Sequence, residues 1–193
     1  MNFKQTMRVL LSTTLICGFS AVNAAEGVSF YYGAGLGAMQ LKDKPAAGGE
    51  FSTAGVGEIF VGFEERGWAF EISRMASIDA STTIALLGDV EDREYSASGD
   101  QMSLSYRTVE RNGIYYKIKY GKMESDTTLI SKDVGGTDQK FTVDDTLYGV
   151  GMGMRINRED RLELEYAYFK ASTDYSSAAH IINLRYIFGG SKP

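Results

Sequence analysis

AHIINLRYIF, residues Ala179 to Phe188, alternates strictly. Ile182, Leu184, Tyr186 and Phe188 fall on one face and Ile181, Asn183, Arg185 and Ile187 on the other. A period of two is that of a β-strand, whose successive side chains point to opposite sides of the sheet. One face here is wholly apolar or aromatic, and the other carries an amide and a guanidinium. Such a strand suits a sheet with lipid on one side and a polar lumen on the other.

Seven upstream stretches repeat the pattern. Phe30, Tyr32, Ala34, Leu36 and Ala38 oppose Tyr31, Gly33, Gly35, Gly37 and Met39; Ile59, Val61 and Phe63 oppose Glu58, Phe60, Gly62 and Glu64; Trp68, Phe70 and Ile72 oppose Ala69, Glu71 and Ser73. Met102, Leu104 and Tyr106 oppose Ser103, Ser105 and Arg107, and Ile114, Tyr116, Ile118 and Tyr120 oppose Tyr115, Lys117, Lys119 and Gly121. Tyr148, Val150, Met152 and Met154 oppose Gly149, Gly151, Gly153 and Arg155, and Leu162, Leu164, Tyr166 and Tyr168 oppose Glu163, Glu165, Ala167 and Phe169. Short and long connections alternate between them. Glu65-Arg66-Gly67, Arg111-Asn112-Gly113 and Asn157 to Asp160 have the Gly, Asn and Asp content of tight hairpins. The segments 41–53, 76–100, 122–145 and 170–178 are long and polar, so they read as loops at the opposite end.

Alternation alone does not say which face looks outward, and a soluble barrel would bury the apolar one. Volume decides between them. Eight strands enclose a space that side chains just fill, and the Tyr, Phe, Leu, Ile and Met of the apolar faces would overfill it. The Gly-, Ala- and Ser-rich faces fit. The expectation is an all-β fold: an eight-stranded antiparallel up-and-down transmembrane β-barrel with short periplasmic turns and longer external loops. Phe30, Phe63, Trp68 and Phe188 would lie in a girdle near the turn end, with Tyr120 and Tyr168 near the loop end.

The other terminus agrees. Residues 1–24 combine basic Lys4 and Arg8, an apolar run from Val9 to about Ala21, and the small exit Val22-Asn23-Ala24, the pattern of a secretory signal peptide cleaved after Ala24. Residues 25–193 would form the barrel domain. Leu15 and Ile16 before Cys17 do not suit a lipidation site, and the apolar run is too short to span a bilayer as a helix. Cleavage would remove the single cysteine, so the sheet alone must hold the fold together. It would also move the net charge of −5 two units further negative. Nucleic acid is excluded as a partner, since no basic stripe survives.

YYGAGLGAMQL in the first strand and GVGMGMRINREDRLELEYAYF over the sixth and seventh resemble the glycine-rich strand and following hairpin of the small OmpA-like and opacity-protein outer-membrane barrels. The resemblance implies an integral outer-membrane location and a structural or surface-interaction role. It implies that Tyr186 and Phe188 form the assembly signal, displaced slightly by the tail Gly189 to Pro193. The expected partners are outer-membrane lipid and lipopolysaccharide, the barrel assembly machinery and a surface ligand of unknown identity.

Candidate site residues fall in two groups. On the lumen-facing sides, Glu58, Glu64, Glu71, Glu163 and Glu165 balance Arg107, Lys117, Lys119, Arg155 and Arg185. Such charges are tolerable inside only if paired or hydrated, and they suit either a gated, porin-like channel or a polar plug. Outside, residues 76–100 are strongly acidic, with Asp89, Glu91, Asp92 and Glu94 as candidates for binding a basic partner or divalent cations. No metal-site spacing, cofactor fingerprint or catalytic residue is expected. The Gly149, Gly151, Gly153 run has no βαβ unit around it. His180 beside Ser172, Asp174, Ser176 and Ser177 matches no catalytic spacing, though a lipid A-modifying enzyme would place its residues at such a rim.

Overall fold

The computed structural model describes residues 27–42, 52–78, 80–86, 89–131, 139–170 and 178–189. These form nine strands: β1 (Val28–Lys42), β2 (Ser52–Glu65), β3 (Trp68–Ile78), β4 (Ala80–Leu86), β5 (Asp89–Arg107), β6 (Ile114–Ser131), β7 (Gln139–Arg155), β8 (Arg161–Lys170) and β9 (Ala178–Gly189). Every pairing is antiparallel between neighbours, and β9 returns to β1 from Tyr31↔Gly189 to Lys42↔Ala178. With β3 pairing β5 as well, the ring β1, β2, β3, β5, β6, β7, β8, β9 closes without a free edge, which is the condition for a spanning β-structure in lipid. The expected closure of AHIINLRYIF on the first strand is present.

Eight staves make the barrel, because β3 and β4 run consecutively along one partner. β3 pairs with β5 from Trp68↔Tyr106 to Ala76↔Ser98, and β4 pairs with it from Ala80↔Tyr95 to Leu86↔Asp89. The segments 76–100 and 122–145, expected as loops, are therefore mostly strand. β5 spans 19 residues, β6 18 and β7 17, against 10 in β8. Where a strand leaves the membrane its outward face turns polar, as at Lys122, Glu124 and Asp126, so the apolar alternation that reveals it disappears while the ladder continues. The same correction applies to Asp89, Glu91, Asp92 and Glu94, which lie along strand β5; their side chains fall outside the described residues.

At the other end the hairpins are tight. Arg66 and Gly67 both have positive φ, 50° and 84°, as do Asn112 and Gly113 at 54° and 78°. Two consecutive residues of that kind make the turn whose twist matches a hairpin. The third turn is held by the Asn157 carboxamide oxygen, which accepts from Glu159 N at 2.9 Å and Asp160 N at 2.8 Å.

The outward faces are those expected. Leu36 is 69% exposed, and Ile59, Ile118, Val150, Ile182 and Leu184 are also exposed. Near the turn end Tyr32 stacks on Phe188 and Trp68 packs beside Tyr106, at 5.2 and 5.1 Å between ring centroids. Towards the other end stand the Tyr120 and Tyr148 pair and the Tyr166, His180, Tyr168 group. Ile72 departs from its face-mates: it has outward parity but is buried, lying in register between Val61 and Met102.

Candidate functional site

The interior is layered along the barrel axis. At the turn end Arg107 and Arg161 both donate through Nη1 to one oxygen, Glu64 Oε2, at 2.5 and 3.0 Å. Their guanidiniums lie against the rings of Tyr31 and Tyr115 at 5.0 to 5.8 Å. Each ring is seated over a glycine of the neighbouring strand. Tyr31 is in register with Gly62 and Tyr115 with Gly153, and a Cβ at either glycine would run into the ring.

The middle layer is a closed ion network centred on Arg185, which is fully buried. Its guanidinium reaches Glu71 at 2.6 Å, Glu58 at 3.1 Å, and Glu163 and Glu165 at 3.0 Å. Lys119 joins Glu71 and Glu165 at 3.0 Å, and Lys117 pairs with both Glu163 and Glu165. Tyr31 Oη donates to Glu71 at 3.3 Å and Tyr115 Oη to Glu163 at 3.0 Å, linking this layer to the one below. Glu58 also accepts from the Asn183 amide at 3.0 Å. Charges this deeply buried are tolerated only because each has several partners.

Above lies an apolar layer that the reading of a small, polar lumen did not anticipate. Met39, Ala54, Val56, Met75, Met123, Leu147, Ala167, Phe169, Ala179 and Ile181 form one buried cluster on the inward faces. Met39, Ala167, Phe169 and Ile181 were visible on inward faces of the sequence, whereas Met123 fell in a segment read as loop.

Of the expected lumen charges, the structure brings together Glu58, Glu71, Lys117, Lys119, Glu163, Glu165 and Arg185, with Glu64 and Arg107 below them. Arg155 does not join. It ends β7, and its guanidinium turns towards the rim, donating to both Glu110 oxygens at 2.9 and 3.0 Å and to the Arg158 carbonyl at 2.9 Å. Arg161 was missed because it looks like the last residue of a turn. Its parity with Glu163 and Glu165 was the available signal.

Elsewhere, Tyr166 Oη and His180 Nδ1 lie 2.6 Å apart on the outward surface. Ser172, Asp174, Ser176 and Ser177, and residues 1–24, expected as a signal peptide, lie outside the described residues. Among the described residues no group of His, Cys, Asp and Glu is placed to hold a metal ion.

A closed eight-staved barrel with an apolar outer belt defines an outer-membrane protein. The family model for the outer membrane protein β-barrel domain matches residues 10–188, and the chain belongs to that family. It is an integral protein of the outer membrane, with its short turns on the periplasmic side. Among solved structures it is similar to Neisserial surface protein A, at 14% identity and a TM-score of 0.65 over 85% of this chain and 99% of that one. It is similar to OprG of Pseudomonas aeruginosa, at 10% identity and 0.59 over 84% and 96%, and to Ail, the attachment invasion locus protein of Yersinia pestis, at 15% and 0.53 over 85% and 100%. At these identities the likeness is one of fold. No curated protein matches the sequence.

Proposed function

We propose that this protein is a non-conducting, non-enzymatic outer-membrane barrel that presents its extended outer strands to partners at the cell surface. The observation that carries this reading is the double closure of the lumen. A charged layer in which Arg185 ties four glutamates together is capped by a layer of Met, Leu, Phe and Ile side chains. An ion crossing it would have to break buried pairs and then enter an apolar constriction, and such constrictions block conduction by dewetting. The invested structure lies instead outside the belt, where β4 and the outer parts of β5 to β7 continue the ladder in a strongly acidic segment. Loops and their extensions carry function on rigid scaffolds. Neisserial surface protein A and the attachment invasion locus protein, similar in fold, are a surface and an attachment protein by name.

The test pairs two measurements. Refolded protein in planar bilayers should give no conductance steps above leak, and steps would instead establish a small diffusion channel. Shortening the β4–β5 hairpin by removing 80–95 should leave the barrel folded while abolishing binding of basic surface ligands or whole host cells. Retained binding would remove the surface reading, and an altered lipid A profile on overexpression would point to an enzyme.

A further inference from the structure

The outward faces of β6 and β8 pass from lipid to water in the same order. Going outward, β6 shows Ile118, Tyr120 and Lys122, and β8 shows Leu164, Tyr166, Tyr168 and Lys170, so on both strands the first charge beyond the aromatic belt is a lysine. The two stand in one row of the ladder, for Lys122 is in register with Thr146 on β7, and Thr146 with Lys170. We propose that this row binds a phosphate of the outer-leaflet lipopolysaccharide, seated over Thr146 between the two ammonium groups. The contact is with the membrane around the barrel, separate from any partner of the outer strands.

Both lysines are exposed, and among the described residues neither is ion-paired. Two strand spacings, about 10 Å, separate them, and two flexible four-carbon side chains can close that gap on one phosphate. Lysines at the edge of an apolar belt carry their charge up to the headgroup level. At this end, opposite the periplasmic turns, those headgroups are the phosphorylated glucosamines of lipopolysaccharide. The row beneath suits the sugar. Tyr120, Tyr148, Tyr168 and His180 stand side by side across β6 to β9. Tyr120 meets Tyr148 edge to face at 5.6 Å between ring centroids, and Tyr168 lies 5.1 Å from His180. The imidazole is held in place, because its Nδ1 lies 2.6 Å from Tyr166 Oη, and Nε2 is left to meet a ligand. Gln40 follows in register on β1. Rings and polar groups fixed at this depth lose little freedom on binding. The row beyond the lysines sets the outer limit: Glu124 and Asp144, in register with each other, repel a phosphate placed further out.

Native mass spectrometry of the refolded protein released from micelles tests this, with bisphosphorylated lipid A, dephosphorylated lipid A and phosphatidylglycerol as probes at equal concentration. Bisphosphorylated lipid A should be retained in preference to both others. Lys122→Gln combined with Lys170→Gln should lower that retention by about tenfold or more, and Lys122→Arg combined with Lys170→Arg should keep it. Arg66→Gln, at an equally exposed cation on a periplasmic turn, should leave it unchanged. Heat-dependent gel mobility shows whether each variant folds; should the lysine variants fail to fold, the comparison of the three lipids decides. Equal retention of dephosphorylated lipid A or of phosphatidylglycerol overturns the proposal. So does a folded Lys122→Gln, Lys170→Gln protein that retains lipid A as the wild type does, or an equal loss in Arg66→Gln.

Discussion

Arg185 on β9 donates through Nη2 to Glu71 on β3 at 2.6 Å, across 114 residues of chain. The bond spans the lumen, so it exists only when the barrel has closed. Arg185→Gln should cost about 3–5 kcal/mol, the usual result of leaving buried charges without their partner. Urea unfolding of the refolded protein measures it. Combined with Glu71→Gln the loss should fall well short of the sum of the single losses, because both changes act on one network. Additive losses would mean that the two residues are not coupled.

Phe169 is almost completely buried within the apolar layer. Phe169→Ala should destabilise the barrel by about 3–5 kcal/mol through the cavity it leaves. It should not open a channel, since the Arg185 network still closes the lumen below. Single-channel recording of the folded variant checks this, and steps in it would show that the apolar layer alone holds the barrel shut.

The outward belt makes a depth-dependent prediction. Leu36 stands near the middle of β1 and Gln40 near its outer end, both facing outward. Leu36→Arg should cost about 2–4 kcal/mol and Gln40→Arg about 0–1, as lipid-facing arginines do at the midplane and near the interface. Reversible unfolding from lipid vesicles gives both values. Equal costs would place the bilayer elsewhere on the barrel.

Phe188 packs against both Tyr32, at 5.2 Å between ring centroids, and Tyr186, at 4.7 Å, on the seam between β9 and β1. Truncation before Phe188 should sharply reduce the amount of protein assembled in the outer membrane, measured by cell fractionation and heat-dependent gel mobility. Truncation after Gly189 should assemble as the full chain does. Equal assembly of the two would separate the closing aromatic from any assembly role.

Legibility in the sequence followed the solvent. From Phe30 to Ala38, or from Ile182 to Phe188, lipid on one side and lumen on the other impose a two-residue alternation that local reading recovers, together with the turns that Arg66-Gly67 and Asn112-Gly113 demand. Beyond Gly121 the outward face turns from tyrosine and isoleucine to Lys122, Glu124 and Asp126, and strand reads as loop. Parity alone placed Glu58, Glu71, Lys117, Lys119, Glu163, Glu165 and Arg185 inside. It failed at Arg155, which turns out to the rim, and it was not applied to Arg161, which has inward parity but reads as the end of a turn. The sequence by itself thus determined the fold, the membrane destination and the polarity of each face, because these follow from periodicity along single strands. Only the tertiary structure decided which charges meet, that Arg107 and Arg161 share one oxygen of Glu64, and that an apolar layer caps the lumen. Those depend on shear and closure, which set the relative heights of residues on different strands and leave no trace in any one of them.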